Sequence, residues 1–269
     1  MTRTILLVGC GNMGFAMLQG WIARGDMEFH VVEPADALRA RAQEAGANVW
    51  TSADELPDEL APELIFLAVK PQVMGEVAPH YQRFAGGRAT FVSVAAGVTI
   101  ATLSELLTGA TPIIRCMPNT PAAIGRGMMV STANDLVSDD AKRLATELLA
   151  ASGETAWIGD EALMDAVTAI SGSGPAYVFH FIECLTAAGV HLGLPQDLAG
   201  QLALQTIAGA GALAARSDTP PATLREQVTS PGGTTAAALG VLMGDQALEK
   251  LMIEAAIAAR DRSVELGKA

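Results

Sequence analysis

The residues best suited to binding a nucleotide lie near the start of the chain, in the segment Gly9-Cys-Gly-Asn-Met-Gly14. Its glycines have the spacing G-x-G-x-x-G, and a predicted strand precedes it and a predicted helix follows it, as dinucleotide binding requires. Gly9 permits the tight turn, Gly11 lets the backbone approach a pyrophosphate, and Gly14 allows close packing of helix on strand. No lysine is needed, because the helix N-terminus itself favours an anion. The segment predicts a dinucleotide site, and the alternative is an ordinary glycine-rich turn.

Glu33 closes the second predicted strand, about 20 residues beyond Gly14, where an acid holds the ribose 2′-OH of NAD. This position favours NADH, since a carboxylate would repel the 2′-phosphate of NADPH. Arg39 and Arg41, in the next predicted helix, could offset that repulsion if the loop turned their way. The alternative interpretation, a solvated charge at a strand end, is equally consistent with the sequence.

The elements that must position these residues alternate along the chain from residue 4 to about residue 158. Short β-branched segments and amphipathic segments follow one another, which is typical of β-α-β units and a doubly wound parallel sheet. Gly25 and Gly46 stand where helix C-terminal caps belong, and Ser52-Ala-Asp-Glu55 has the spacing of a capping box. We predict strands at Thr4–Val8, Phe29–Glu33, Leu64–Val69, Thr90–Val94 and Pro112–Cys116, and a weaker one at Asn48–Trp50.

Beyond Ile158 the strand signals stop and Ala-, Leu- and Gly-rich helical patterns replace them. We therefore expect two domains, 1–158 and 159–269. The helices carry few charges and small residues such as Gly209 and Gly211, so they are apolar on more than one face. They could form a compact monomeric bundle, but a homodimer through this half is favoured. The predicted helices are Glu161–Ile170, Pro175–Leu192, Pro195–Ala215, Thr223–Val228 and Thr234–Leu266.

Composition excludes several classes of protein. The 269 residues are 50 % hydrophobic and carry a formal net charge of −12, which disfavours nucleic acid and anionic membranes as partners. Three scattered cysteines predict neither a disulfide framework nor a metal site, and the four histidines have no metal-like or triad spacing. No export signal or membrane span is evident, so the chain is expected to be soluble and cytoplasmic.

Five further segments have unusual compositions and lie where strand or helix ends should meet a ligand. Together with the glycine-rich segment, in this order and spacing, they closely resemble the pyrroline-5-carboxylate reductase family. Any one segment alone would be poor evidence, whereas six in register are highly specific. The five are Ala68-Val-Lys-Pro-Gln72, Ser93-Val-Ala-Ala-Gly97, Arg115-Cys-Met-Pro-Asn-Thr-Pro121, Ser171-Gly-Ser-Gly-Pro-Ala-Tyr177 and Ser230-Pro-Gly-Gly-Thr-Thr235.

The resemblance implies an α/β fold, with an N-terminal Rossmann-type doubly wound parallel sheet followed by an all-helical dimerisation domain. It also implies dimers that assemble further, up to decamers, and NADPH or NADH as cofactor. The family's frequent use of NADPH points away from what Glu33 suggests. By matching positions, the resemblance implies cofactor contacts at Gly11, Asn12 and Met13 for the phosphates, at Ala68, Val69 and Lys70 along the cofactor, at Ala95 and Gly97 near the nicotinamide, and at Pro118 and Asn119 in the same cleft.

The family's substrate carboxylate is held by main-chain N–H groups, which the resemblance places here at Gly232, Gly233 and Thr234. Consecutive N–H groups at a glycine-rich turn do form an anion-binding nest. Ser230 and Thr235 would border the imine, and the Thr235 hydroxyl matches the family position proposed to hydrogen-bond the imine nitrogen. The alternative is a helix break with Thr234 or Thr235 as N-cap, which is compatible with binding.

The implied activity is the reduction of 1-pyrroline-5-carboxylate to L-proline by hydride transfer from NAD(P)H, the last step of proline biosynthesis. A cyclic iminium is already electrophilic, so positioning and shielding are the protein's main tasks and no base is required. Two alternatives remain. A β-hydroxyacid or 6-phosphogluconate-like dehydrogenase needs a catalytic lysine in the helical half, which offers only Lys250 and Lys268 near its end. A nucleotide sensor would keep the fold without turnover.

Overall fold

The computed structural model describes residues 3–267, which form two compact units. The first comprises Met1–Ser173 together with Ala259–Ala269, and the second comprises Gly174–Ala258. The last strand ends at Trp157, so the sequence-based boundary at 158 marks the change from strands to helices rather than the division between these units. Lys268, one of the two lysines considered above, lies outside the described residues.

Among residues 3–267, eight strands form one sheet in the order β3-β2-β1-β4-β5-β6-β7-β8. All neighbouring pairs are parallel except β6 with β7. The strand order reverses between β1 and β4, and ligands of such sheets bind outside the carboxyl ends of the strands at this point. The strands are β1 (Arg3–Val8), β2 (Met27–Val32), β3 (Asn48–Trp50), β4 (Leu64–Leu67), β5 (Thr90–Ser93), β6 (Ile113–Met117), β7 (Gly127–Ala133) and β8 (Gly153–Trp157).

The helices of the first unit cover both faces of this sheet. Alternate residues of β1 enter two separate cores: Ile5 and Leu7 enter one, Leu6 and Val8 the other. The prediction of a doubly wound α/β fold is therefore confirmed. The helices, including those of the second unit, are α1 (Asn12–Ile22), α2 (Asp36–Glu44), α3 (Met74–Val77), α4 (Ile100–Leu106), α5 (Asp139–Ala150), α6 (Met164–Val167), α7 (Gly174–His191), α8 (Gln196–Arg216), α9 (Pro221–Gln227), α10 (Thr234–Met243) and α11 (Ala247–Leu266).

Several local predictions need correction. The six predicted strands are present within one or two residues of their expected ends, but β7 and β8 were not predicted. The chain reverses between Met117 and Gly127 through a 3₁₀ helix, Thr120–Ile124, which is too short for a parallel crossover, so β7 runs antiparallel to β6. Ser52-Ala-Asp-Glu55 is not a capping box: Ser52 makes no side-chain cap, and Glu55 accepts hydrogen bonds from Thr51 instead.

Some of the predicted helix ends agree with the structure and others do not. Gly25 and Gly46 follow α1 and α2 as predicted, and their N–H groups donate to Ile22 and Gln43. The predicted helix Glu161–Ile170 is instead a succession of a 3₁₀ turn, α6 and a π-helical turn at Thr168–Gly172. The single helix predicted over Thr234–Leu266 breaks at Gly244–Gln246, where Asp245 has a φ of 50°.

The second unit buries little of its apolar surface. Only Ala199 and Ala203 are buried among its described residues, whereas Leu204 and Leu213 of α8 are 57 % and 60 % exposed. Within residues 3–267, α8 alone is long and apolar enough to cross a membrane, a test that an apolar helix packed against other helices also passes. Single exposed leucines are normal on protein surfaces, but the second unit exposes many apolar side chains, as interaction surfaces do.

Candidate functional site

The glycine-rich loop joins β1 to α1, and each of its glycines meets a different constraint. Gly9 has a φ of +87°, and a Cβ there would lie 2.8 Å from the Ala68 carbonyl oxygen. A Cβ at Gly14 would overlap the Gly9 carbonyl oxygen, so only glycine lets α1 approach the strand so closely. A Cβ at Gly11 would meet nothing within 4 Å. That open space is where the sequence predicts a pyrophosphate.

The N-terminus of α1 is open to a ligand. Gly11 is the N-cap, no side chain caps the first turn, and Asn12 and Met13 begin the helix. The first N–H groups of a helix have no partner inside it, and they carry the positive end of the helix dipole. Asn12 and Met13 line a cavity of about 370 Å³, together with Arg41 and Thr120. The first turn of this helix is thus able to bind an anion.

A larger cavity of about 530 Å³ opens at the carboxyl ends of β1, β2 and β4. It lies at the reversal of strand order, where dinucleotides bind in doubly wound sheets. Six of the predicted cofactor-binding residues line it: Gly9, Gly11, Glu33, Ala68, Val69 and Lys70. Val73 and Tyr81 add apolar and aromatic surface, and burial raises the pKa of the Tyr81 hydroxyl. This composition and volume fit the adenosine half of a dinucleotide.

Glu33 is not the solvated strand-end charge that the alternative interpretation described. The residue is 6 % exposed. Its Oε2 accepts a hydrogen bond from the Cys10 N–H at 2.7 Å, and its Oε1 accepts one from the Ala35 N–H at 2.9 Å. The carboxylate therefore links the glycine-rich loop to the turn after β2, and each oxygen keeps a second lone pair.

Two arginines brace the same loops, and their contacts were not predicted. Arg41 Nη2 donates to the carbonyl oxygen of Cys10 at 2.9 Å, and its guanidinium carbon lies 3.9 Å from the centre of the Phe15 ring. Arg39 Nη1 donates to the carbonyl oxygen of Glu33 at 2.9 Å. No sequence pattern links residue 41 to residue 10, since the contact depends on how α2 packs beside the loop.

The Cys10 thiol, although inside the loop, is not a nucleophile. Burial raises its pKa to about 11, so the thiol stays protonated near neutral pH. Among residues 3–267, no group of three or more His, Cys, Asp or Glu side chains is arranged to hold a metal ion.

The residues predicted near the nicotinamide follow β5 and β6. Ala95 is buried. Gly97 has a φ of +75°, and a Cβ added there would lie 3.6 Å from backbone atoms of Leu266 and Gly267. Pro118 is buried just after β6. The Asn119 carboxamide accepts from the Met128 N–H at 2.9 Å and donates to the Ser171 carbonyl oxygen at 3.0 Å. Asn119 thus holds three chain segments together, a role the sequence did not reveal.

The segment Ser230–Thr235 lies in the second unit, immediately before α10. Gly232 has a φ of +70°, and the Gly233 N–H donates to the Ser230 carbonyl oxygen at 3.0 Å, which makes a tight turn. The N-cap of α10 is Gly233, without a side-chain cap. The alternative that Thr234 or Thr235 caps the helix is therefore wrong: both residues lie in its first turn, which leaves their hydroxyls free of a capping role.

Known proteins match both parts of the chain. The model of the pyrroline-5-carboxylate reductase dimerisation family matches residues 161–266, and that of the coenzyme F420-dependent NADP oxidoreductase family matches residues 4–97. Pyrroline-5-carboxylate reductase of Pseudomonas aeruginosa is 38 % identical over 99 % of this chain and 98 % of its own. The enzyme of Escherichia coli K12 is 36 % identical over 100 % of both chains.

Solved structures agree with these relatives. A pyrroline-5-carboxylate reductase from Coxiella burnetii has a TM-score of 0.92 at 34 % identity and covers 99 % of each chain. The pyrroline carboxylate reductase of Plasmodium falciparum, with NADP bound, has a TM-score of 0.81 at 32 % identity and covers 99 % of this chain and 100 % of its own. Since the identity exceeds 30 % over nearly the whole length of these proteins, the chain belongs to the pyrroline-5-carboxylate reductase family.

Proposed function

We propose that this protein reduces 1-pyrroline-5-carboxylate to L-proline with a hydride from NAD(P)H, the last step of proline biosynthesis. The observation that carries the proposal is the full-length identity with pyrroline-5-carboxylate reductases, which spans both the dinucleotide cavity and the Ser230–Thr235 turn. The open Gly11 position, the uncapped start of α1 and the large cavity at the strand ends support dinucleotide binding.

The bound NAD(P)H supplies the hydride, which adds to the imine carbon while the nitrogen gains or keeps a proton. The chain's own residues position the reactants. Asn12 and Met13 offer N–H groups to the pyrophosphate, and Ala68, Val69 and Lys70 line the cavity beside it. Ala95, Gly97, Pro118 and Asn119 are proposed to shape the nicotinamide end. Asn119 does so through its bonds to neighbouring segments.

On the substrate side, we assign the carboxylate to the main-chain N–H groups of Gly232, Gly233 and Thr234. A turn with a left-handed residue followed by a helix N-terminus presents such groups in one direction. Ser230 borders the imine. Thr235, half-buried in the first turn of α10, is proposed to donate a hydrogen bond to the imine nitrogen through its hydroxyl. Holding the reactants in this way accounts for catalysis without a titrating base.

The protein is proposed to be a homodimer formed through the second unit, with further association of dimers up to a decamer, as the resemblance to the family implies. The match to a dimerisation family and the exposed leucines of α8 support this. We further propose a cytoplasmic enzyme that binds neither nucleic acid nor membrane, in keeping with its net charge of −12.

The proposal is tested by following the absorbance of NADH and NADPH, separately, after 1-pyrroline-5-carboxylate is added to the purified protein at neutral pH. Oxidation of either cofactor with matching formation of proline is the expected result. Cofactor binding without oxidation of either one would contradict the proposal and identify a nucleotide sensor instead.

A further inference from the structure

The loop between β5 and α4, residues 94–99, carries two of the residues assigned to the nicotinamide end of the cofactor, Ala95 and Gly97. It leaves the sheet after Ser93 and enters α4 at Ile100. A loop this short is placed by whatever holds its two ends. The contacts at those ends therefore decide where Ala95 and Gly97 lie.

The side chain of Glu161 joins both ends of this loop through one oxygen atom. Its Oε1 accepts a hydrogen bond from the Ile100 N–H at 2.9 Å, where the loop ends. The same Oε1 lies 2.8 Å from Nη1 of Arg115. Arg115 is the register partner of Ser93, the residue from which the loop starts. One carboxylate thus connects the position at which the chain leaves the sheet with the position at which it enters α4.

The groups on either side of this contact are fixed by the fold of the first unit. Arg115 is 5 % exposed and lies in an inner strand, paired with β5 on one side and with β7 on the other. A guanidinium so deeply buried is costly without a carboxylate partner. Glu161 begins a short 3₁₀ turn, which Asp160 caps by accepting from the Ala162 N–H at 2.9 Å. The carboxylate therefore holds the loop from two rigid supports.

Glu161 lines neither the cavity of about 530 Å³ nor that of about 370 Å³, so any effect on a bound dinucleotide has to pass through the loop. We propose that Glu161 is a positioning residue for hydride transfer, which keeps residues 94–99 in the conformation that receives the nicotinamide ring. Misplacement of reacting groups by about 1 Å can cost about a hundredfold in rate. The inference rests on the proposed function, since that proposal assigns Ala95 and Gly97 to the nicotinamide end.

The test compares full-length Glu161→Ala with the wild type at a temperature at which both are folded. The first readout is the single-turnover rate of hydride transfer to 1-pyrroline-5-carboxylate. The second is the pair of dissociation constants for NADH and for ADP-ribose, which lacks the nicotinamide ring. The third is amide hydrogen exchange of residues 94–100, with residues 9–14 of the glycine-rich loop as the internal reference.

The rate of hydride transfer is expected to fall at least about tenfold in Glu161→Ala. NADH should bind at least about threefold more weakly, because a loosened loop has to be ordered on binding. ADP-ribose should bind within about twofold of the wild-type value, since its contacts lie away from this loop. Exchange of residues 94–100 should become faster while that of residues 9–14 stays unchanged.

Two further variants separate positioning from stability. Glu161→Gln keeps an oxygen that accepts from the Ile100 N–H, so its rate should lie between those of Glu161→Ala and the wild type. Leu144→Ala removes a buried side chain from the core on the other face of the sheet, which lowers stability without touching the loop. Its rate of hydride transfer should stay within about twofold of the wild-type value.

If Glu161→Ala does not fold, Ile100→Pro takes its place. Proline removes the same N–H at the first position of a helix, where it is well accepted, and Thr99 before it already has extended backbone. Ile100→Ala then controls for the lost side chain and should transfer hydride faster than Ile100→Pro.

An unchanged rate of hydride transfer in the folded Glu161→Ala variant would overturn the inference. So would an equal loss of rate in Leu144→Ala, or equal weakening of ADP-ribose and NADH binding. Failure of the proposed function gives a different pattern, because the wild type itself would leave 1-pyrroline-5-carboxylate unreduced. Exchange and NADH binding then decide whether Glu161 holds the loop: changes in both support it, and wild-type values for both overturn it.

Discussion

At the scale of single residues, the glycines of the nucleotide loop differ in what a side chain would touch. A Cβ at Gly14 would overlap a carbonyl oxygen of the loop, whereas one at Gly11 points into open space. A side chain at Gly14 should therefore lower the stability of the fold. A side chain at Gly11 should leave stability unchanged and weaken only ligand binding.

Gly11→Val is expected to weaken ADP-ribose binding more than about a hundredfold while the melting temperature stays unchanged, because the isopropyl group fills the space of the pyrophosphate. Gly14→Ala should instead lower the free energy of unfolding by about 1–3 kcal/mol. Titration and thermal unfolding of both variants check this pair. A strongly destabilised Gly11→Val variant would contradict the open space around Gly11.

Thr235→Ala is expected to lower kcat roughly tenfold to a hundredfold, because the imine nitrogen would lose the hydrogen-bond donor that we propose for it. The dissociation constant of the cofactor should not change. Thr234→Ala is the matched control: its proposed contact is made by the main chain, so loss of the hydroxyl should leave kcat near the wild-type value. Equal rates for wild type and Thr235→Ala in steady-state assays would remove this residue from the mechanism.

At the scale of elements, an ion pair between a buried arginine and a partly exposed glutamate, 29 % exposed, connects three parts of the first unit. Arg115 of β6 is 5 % exposed, and its Nη1 lies 2.8 Å from Oε1 of Glu161, which follows β8. The same oxygen accepts from the Ile100 N–H at the start of α4 at 2.9 Å. Loss of one partner leaves the other charge buried without compensation, which is costly.

Glu161→Gln should therefore lower the free energy of unfolding by roughly 2–4 kcal/mol. Arg143→Ala is the control, since the Arg143–Asp140 pair has the same length of 2.8 Å but lies on the surface; its loss should cost less than about 0.5 kcal/mol. Urea unfolding monitored by tryptophan fluorescence measures both. If the two variants lost similar free energies of unfolding, burial of Arg115 would not be what makes the Arg115–Glu161 pair stabilising.

The elements also show where sequence patterns stop being informative. The continuous apolar segments of β1 and β4 were recognisable because both faces of these strands are buried. β8 lies at the edge of the sheet, is half-exposed and includes glycine, so its sequence has no such signal. In the same way the spacing of Gly9, Gly11 and Gly14 marked the loop, but the partners of Glu33, Arg41 and Asn119 are set by packing between distant segments.

At the scale of the whole molecule, the second unit exposes more apolar surface than a lone soluble unit tolerates. Its sequence already indicated this, since small and apolar residues occupy more than one helix face. The break at Gly244–Gln246 was not predicted: Gly244 and Asp245 are residues that can interrupt a helix, but Gln246 is not a typical residue for left-handed backbone and the apolar pattern continues on both sides.

The double variant Leu204→Glu, Leu213→Glu is expected to dissociate the proposed dimer, because it would place four charges, two from each subunit, in the proposed apolar interface. Sedimentation velocity should then show a monomer. Ile124→Glu, at a 78 % exposed position of the first unit, is the control and should remain dimeric. A dimer that survives the double variant would move the interface away from α8.

The chain leaves the first unit after Ser173 and re-enters it at Ala259. Ser263 is buried there and donates to Asp165 at 2.6 Å, and Leu266 and Gly267 lie against Gly97. On the ribosome, residues 259–267 emerge only after all of residues 174–258. The nucleotide-binding unit consequently cannot be completed during translation before the helical unit has been made, and a nascent chain stalled within that unit would display an unfinished nucleotide site.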